Sequence, residues 1–277
     1  MSRMIVRLGL AAAALTFGLG AEMRFMDAEA LARSTSTPSA LEQEIAMQVE
    51  QRQPVIKLAY TGDRAELSAN IAELARRAIE ADDYTAYVVD AYFYSVRAWG
   101  STATVTMNVR YRESAEQTRY VDEQVRQTLA AIVTPAMNDS EKVRAIHDWI
   151  VLRLAYDENL ARYTAYEALT EGKAVCQGYA LLNQRMLTEA GIESRIVEGQ
   201  VDSGSHVWNL VRLEDGWHHV DATWDDPLPD KPGHAGSKYL LRSDAEMRKD
   251  HRWEKAYPAA GEAEAGTAAG REDEPAS

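Results

Sequence analysis

The chain has 277 residues, 46% hydrophobic and 26% charged, a composition that supports a folded core of one large or two modest domains. Its 30 Lys and Arg against 43 Asp and Glu leave a formal net charge of −13, which excludes sequence-independent binding to nucleic acid and a basic membrane-surface role. With one cysteine, Cys176, no intramolecular disulfide can form, so stability must come from packing.

Residues 1–21 read as an export signal. Arg3 and Arg7 form a basic head, Leu8 to Gly20 an apolar stretch, and Gly18, Gly20 and Ala21 a cleavage region; the alternative is an uncleaved N-terminal anchor. The stretch is too short and too rich in alanine and glycine for a convincing spanning helix, and no other segment could span a membrane. A secreted or cell-envelope, extracytoplasmic location is therefore expected. Residues 22–40 are polar and read as a linker.

Residues 41–134 predict a small α+β N-terminal region without a chemical motif. Leu41 to Arg52 has helical spacing, Pro54 to Tyr60 resembles a strand, and Arg64 to Glu80 places Leu67, Ile71, Leu74, Ala75 and Ala78 on one helical face. Two β-rich runs, Ala86 to Trp99 and Thr102 to Arg112, flank Gly100-Ser101 as an antiparallel hairpin; in the second, Ala103, Val105, Met107, Val109 and Tyr111 alternate with polar residues. Glu116 to Ile132 is a further helix, ended by Pro135.

Residues 135–258 form the second expected domain. Asn138 and Glu141 make a capping box for a helix whose apolar face carries Val143, Ile146, Ile150, Val151 and Leu154; His147, on that face, reads as a packing residue. A loop through Tyr163 to Leu169 leads to Gly172–Ala180, GKAVCQGYA, and a helix over Gln177 to Ala190 with Gly191 and Ile192 as its glycine C-cap. Strands follow over Ser194 to Val201, His206 to Leu213 and Gly216 to Thr223, the last two joined by a turn at Asp215-Gly216. A long loop from Trp224 to Lys238, a short strand at Tyr239 to Leu241 and a helical turn from Ser243 to Lys249 complete the domain. Residues 259–277 are rich in alanine, glycine and glutamate and read as a disordered acidic tail.

Cys176 stands at a helix start, where unpaired N–H groups and the helix dipole favour a thiolate. Burial as an inert core cysteine is the competing reading. A nucleophilic cysteine needs a base and a group that orients it, and His206 and Asp221 bracket one predicted hairpin. A turn centred between Leu213 and Glu214 sets the two directly opposite; the tighter turn at Asp215-Gly216 sets Leu210 opposite Asp221, with His206 four residues along. Both registers keep them on one face, and only the first brings them within hydrogen-bond reach. An oxyanion would be held by the Cys176 N–H and one further donor, for which Gln177, Tyr166 and Trp208 are candidates. His218, His219 and His251 read as structural, with His251 beside Trp253 able to cap the site. No close ligand pair supports a metal, and Asp225-Asp226 reads as a turn cap before Pro227.

The order G-x-x-V-C-Q-G-Y-A (Gly172 to Ala180), H-V-W-N-L-V (His206 to Val211) and H-V-D-A-T-W-D-D-P (His219 to Pro227) resembles the bacterial transglutaminase-like superfamily. More narrowly, it is similar to the branch shared with the fungal cytokinesis-associated transglutaminase-like domain. That resemblance covers about Asn138 to Pro258 and implies a papain-like α+β fold with a Cys-bearing helix packed on an antiparallel sheet. It also implies a Cys-His-Asp triad at Cys176, His206 and Asp221. The expected protein is an exported thiol enzyme, a peptidase, amidase or acyltransferase, acting on amide bonds of a protein or peptide substrate, which could belong to the cell envelope. No cofactor and no nucleic acid partner are expected, and the only expected membrane contact is through an uncleaved anchor. The alternative is a catalytically silent interaction module of the cell envelope that keeps the fold.

Overall fold

Two main sheets divide the chain, the first mixed and the second antiparallel, and the helices between them carry the cysteine. The computed structural model describes residues 14–15, 34–229, 231 and 233–261. The export signal, except for Ala14 and Leu15, and the tail beyond Gly261 lie outside the described residues. No helix among the described residues is long and apolar enough to cross a membrane.

The first sheet has strand order β1-β4-β5-β3-β2: β1 (Ala14–Leu15), β2 (Ser34–Thr35), β3 (Val55–Tyr60), β4 (Val89–Trp99) and β5 (Thr102–Tyr111). The hairpin read from the sequence is present, with Trp99 opposite Thr102 and Tyr94 opposite Met107. Ala103, Val105, Met107 and Val109 of β5 are buried, as alternation predicts, under helices α1 (Pro38–Glu50) and α2 (Arg64–Ile79). α1 begins inside the segment read as linker, because the Thr37 hydroxyl caps it and Pro38 fits its first turn. β4 starts three residues later than the β-rich run suggested. Asp82 accepts from the Thr85 N–H at 2.7 Å and winds Asp83–Val88 into a short helix, α3.

A second core encloses Cys176. Helices α4 (Ala115–Ile132), α5 (Asp139–Arg153), α6 (Ala165–Glu171) and α7 (Cys176–Glu189) contribute Val121, Val125, Ile146, Ile150, Ala168, Leu182 and Leu187 to it. Tyr84, Tyr87 and Val88 of α3 join the same cluster, so packing reaches across the expected boundary at residue 134. Residues 163–169, read as loop, end in α6, which Thr164 and Glu167 open with a capping box. α7 closes as the sequence predicts: the Ile192 N–H donates to Leu187 O at 2.9 Å and the Gly191 N–H to Thr188 O at 3.0 Å.

The second sheet has order β11-β10-β9-β8, all antiparallel: β8 (Ser194–Val201), β9 (Gly204–Leu213), β10 (Gly216–Val220) and β11 (Leu240–Arg242). Its α+β class and its cysteine-bearing helix packed against β9 agree with the fold expected from the sequence. The β9-β10 register matches neither expected pairing, since Gly216 opposes Leu213 and Val220 opposes Asn209. The turn therefore centres on Glu214-Asp215, midway between the two. The chain expected to be disordered from residue 259 stays ordered through Gly261, whose N–H donates to Trp217 O at 2.9 Å.

Candidate functional site

Cys176 is the first residue of α7, and Val175, which precedes it, offers no side-chain cap. The first-turn N–H groups and the positive end of the dipole are thus left to the thiol and to whatever approaches it. Gly178 lets this end of the helix sit low. A Cβ there would lie 2.5 Å from the Ala174 Cβ and 3.2 Å from Thr164 O, so the turn that presents the sulfur closes only around glycine. Two buried amides fix α7 against β9: Asn183 Nδ2 donates to Asn209 Oδ1 at 3.0 Å, and Asn209 Nδ2 donates to Ala180 O at 3.1 Å. Each such buried bond, broken on one side, costs about 1–3 kcal/mol.

His206 projects from β9, and Asp221 follows the last residue of β10. With Val220 opposite Asn209, His206 and Asp221 are related diagonally rather than face to face. They nevertheless meet, with His206 Nε2 2.6 Å from Asp221 Oδ2. The reason is local: Asp221 has left the strand to become the N-cap of α8 (Ala222–Asp225), and its Oδ1 accepts from the N–H groups of Thr223 at 3.0 Å and Trp224 at 3.2 Å. The carboxylate is locked by the helix it caps and aimed back along the sheet. The imidazole lies nearly parallel to the Trp208 indole, 5.7 Å between centroids. Because Nε2 is engaged by Asp221, Nδ1 is the nitrogen left for Cys176.

All three side chains are buried, Cys176 at 5%, His206 at 4% and Asp221 at 1% exposure. Burial opposes a charged imidazole. The charge and hydrogen bond of Asp221, followed by the hydrogen bond and charge of Cys176, outweigh it and hold His206 well above the ordinary imidazole range. Burial would likewise raise the Asp221 carboxyl, but the charge and hydrogen bond of His206, followed by the hydrogen bond and charge of His251, hold it well below the ordinary carboxylate range. An imidazole whose proton affinity is raised in this way by a carboxylate is suited to take the proton of an adjacent thiol and hold it.

Two of the expected oxyanion donors have partners elsewhere. The Trp208 indole N–H, its one donor, goes to His219 Nδ1 at 2.9 Å and is not free to meet an oxyanion, and the Gln177 amide gives one of its two N–H groups to Tyr87 O at 3.2 Å. Tyr166 lies edge-on to Tyr120, 5.5 Å between centroids, with its N–H 3.3 Å from the buried Glu113. His147 is a fully buried packing histidine, bonded to Asp225 Oδ2 at 3.1 Å and Asp148 Oδ1 at 2.9 Å. Asp225 does more than cap a turn, since it also accepts from the Tyr239 N–H at 3.0 Å, and Asp226 accepts from the Tyr179 hydroxyl at 2.5 Å. His218 pairs with Asp215 at 2.9 Å, and His219 with Asp244 at 2.8 Å.

His251, read from the sequence as structural but able to cap the site, touches the triad, and Tyr156, which the sequence did not single out, pairs with the strand that leads to Cys176. His251 Nε2 is 3.1 Å from Asp221 Oδ2, the same oxygen that meets His206. Tyr156, on β6 (Ala155–Tyr156), is level with Ala174 of β7 (Lys173–Ala174), two residues before the thiol. Its phenol is pushed up to about 12, first by burial and then by the charge of the Cys176 sulfur. Tyr156 precedes Asp157 at the close of a helix, a position that gives no periodic signal. His251, Asp221 and His206 bring one ligand atom each within 4.8 Å of one another, as a cation site would require. Here Asp221 Oδ2 is already in hydrogen-bond contact with both rings.

A pocket of about 320 Å³ reaches His206. Its walls are Glu198 to Gln200 of β8, Ser205 to Val207 of β9 and Arg252 to Lys255. Gly199 brings these walls together, for a Cβ there would lie 2.2 Å from Arg252 O.

Residues 126–222 match the family model of the Transglutaminase-like superfamily, so the chain carries a transglutaminase-like domain whose matched span runs from α4 through Cys176 and His206 to just past Asp221. Among curated proteins, it is similar to the kyphoscoliosis peptidases of Mus musculus and Homo sapiens, each 36% identical over 117 residues, covering 36% of this chain. The chain spans 18% of the length of these relatives. Among solved structures, it is similar to a crystal structure of a TGase, with TM-score 0.37 and 13% identity over 60% of this chain and 50% of that one.

Proposed function

We propose that the protein is a thiol enzyme that cleaves amide bonds through a thioester on Cys176, with His206 as base and acid and Asp221 as the group that orients and charges it. The single observation that carries this reading is the buried Asp221-His206 pair, 2.6 Å apart, whose second ring nitrogen is left for a sulfur at an uncapped helix start. The thiol proton passes to His206, and the thiolate adds to the amide carbonyl. Its oxyanion meets the first-turn N–H groups of α7 and, from the β6 side, the Tyr156 hydroxyl. Collapse breaks the C–N bond as His206 protonates the leaving amine. Water or an amine then attacks the thioester, giving up its proton to His206 as the thiolate departs.

Hydrolysis is favoured over transfer, because no motif in the sequence marks a second site that selects an amine. An exported protein acting on protein or peptide amides outside the cytoplasm fits residues 1–21. Mass spectrometry of the protein incubated with a peptide library and a tagged primary amine tests the assignment. Cleaved peptides with water at the new carboxyl are expected in the wild type and not in Cys176→Ala. Tag incorporation would change the assignment to transfer, and no Cys176-dependent product of either kind would refute it.

A further inference from the structure

Asp221 Oδ2 lies against two histidines, and the triad accounts for only one of them. His251 is fully buried and fixed at both ends: Nε2 stands 3.1 Å from Asp221 Oδ2, and Nδ1 stands 2.7 Å from Asp250 Oδ1. Asp250 is held in turn by the Tyr239 hydroxyl at 2.7 Å and by Lys238 Nζ at 3.4 Å. Every element around the ring contributes a contact: Trp208 and His206 of β9 at 5.0 and 5.6 Å between centroids, Trp224 of α8 at 4.5 Å, and Tyr239 before β11 at 5.3 Å. Like His147, this ring faces a carboxylate oxygen with each nitrogen; what sets it apart is that one of those oxygens is the Asp221 Oδ2 that meets His206.

We propose that His251, anchored by Asp250, is a positioning residue for the triad: it pins the Asp221 oxygen that orients His206. This rests on the triad reading above. With Oδ1 held by the α8 N–H groups and Oδ2 shared by two rings, Asp221 has no freedom to turn away from His206.

The chain's single cysteine makes the test direct, because all iodoacetamide alkylation reports on Cys176. The rate is followed against pH in the wild type, His251→Phe, His251→Gln and Asp250→Asn, with melting temperature checking that each is folded. His251→Phe is expected to lower the rate at pH 6 about tenfold through loss of orientation. His251→Gln, which keeps an N–H for Oδ2, should recover most of that rate, and Asp250→Asn, which loosens the anchor of the ring, should fall between His251→Phe and the wild type. Equal losses in Phe and Gln, the result of packing alone, or a Phe profile superimposed on the wild type, would overturn the proposal while leaving the triad in place. A wild-type thiol no faster at pH 6 than a free cysteine would bring down the triad reading, and this inference with it.

Discussion

Two of the buried histidine-aspartate pairs in the domain are of similar make. His147-Asp225 and His206-Asp221 each bring an Nε2 to a carboxylate Oδ2, at 3.1 and 2.6 Å. The difference lies in the second ring nitrogen. That of His147 faces another carboxylate, Asp148, so the ring is saturated and ties α5 to α8. That of His206 is left for a sulfur at a helix start. A buried His-Asp pair is thus a structural rivet or part of a reactive site according to what occupies its remaining nitrogen.

Substitutions can break this contrast from either side. The largest loss is expected for Cys176→Ala, which should reduce amide turnover to background without lowering the melting temperature by more than a few degrees, as measured by peptide cleavage and thermal melting. His206→Ala should lower kcat/KM about a thousandfold by removing the proton carrier. Asp221→Asn should lower it about a hundredfold, the imidazole remaining in place but without the charge that holds its proton. At the other pair the effects should separate. His147→Leu, which strands the Asp225 carboxylate, is expected to cost about 3 kcal/mol in a denaturant melt, while the Cys176 alkylation rate per folded molecule stays unchanged.

The smallest effect is on stability against pH, and its sign follows from the shifts. His206 binds its proton more tightly when folded, so its contribution is complete below the ordinary imidazole pKa of about 6.5 and is lost as pH rises through the raised folded value. Asp221 has the opposite dependence. Its contribution is complete above the ordinary carboxyl pKa of about 3.9 and is lost as pH falls through the lowered folded value. Denaturant midpoints should therefore fall on the alkaline side of neutrality, and less so in His206→Gln.

Much of the fold was legible because its signals are local. The alternation in β5, the Asn138-Glu141 cap and the Gly191 stop each depend on neighbours within a few residues, and each is present. The α6 capping box, Thr164-Ala-Tyr-Glu167, is equally local, although the residues around it read as a loop. What escaped was set by tertiary context. The β9-β10 register fell between the two expected pairings, and the His206-Asp221 contact survived because Asp221 caps α8 and turns back, which strand arithmetic does not include. Gln177 and Trp208 read as oxyanion donors, and packing supplies Tyr87 O and His219 Nδ1 as their partners. The contact of His251 with Asp221 comes from a segment without periodicity, 45 residues beyond His206, and Tyr156 is set level with Ala174, two residues before the thiol, only by the β6-β7 pairing. Proximity of this kind is written in the fold alone.

The central claim is that His206 activates Cys176, and the alkylation rate of the single cysteine at pH 6 measures it most directly. The wild-type thiol should react far faster than a free cysteine at that pH, and His206→Ala should abolish the advantage. Equal rates in the two proteins, with both folded, would contradict the account.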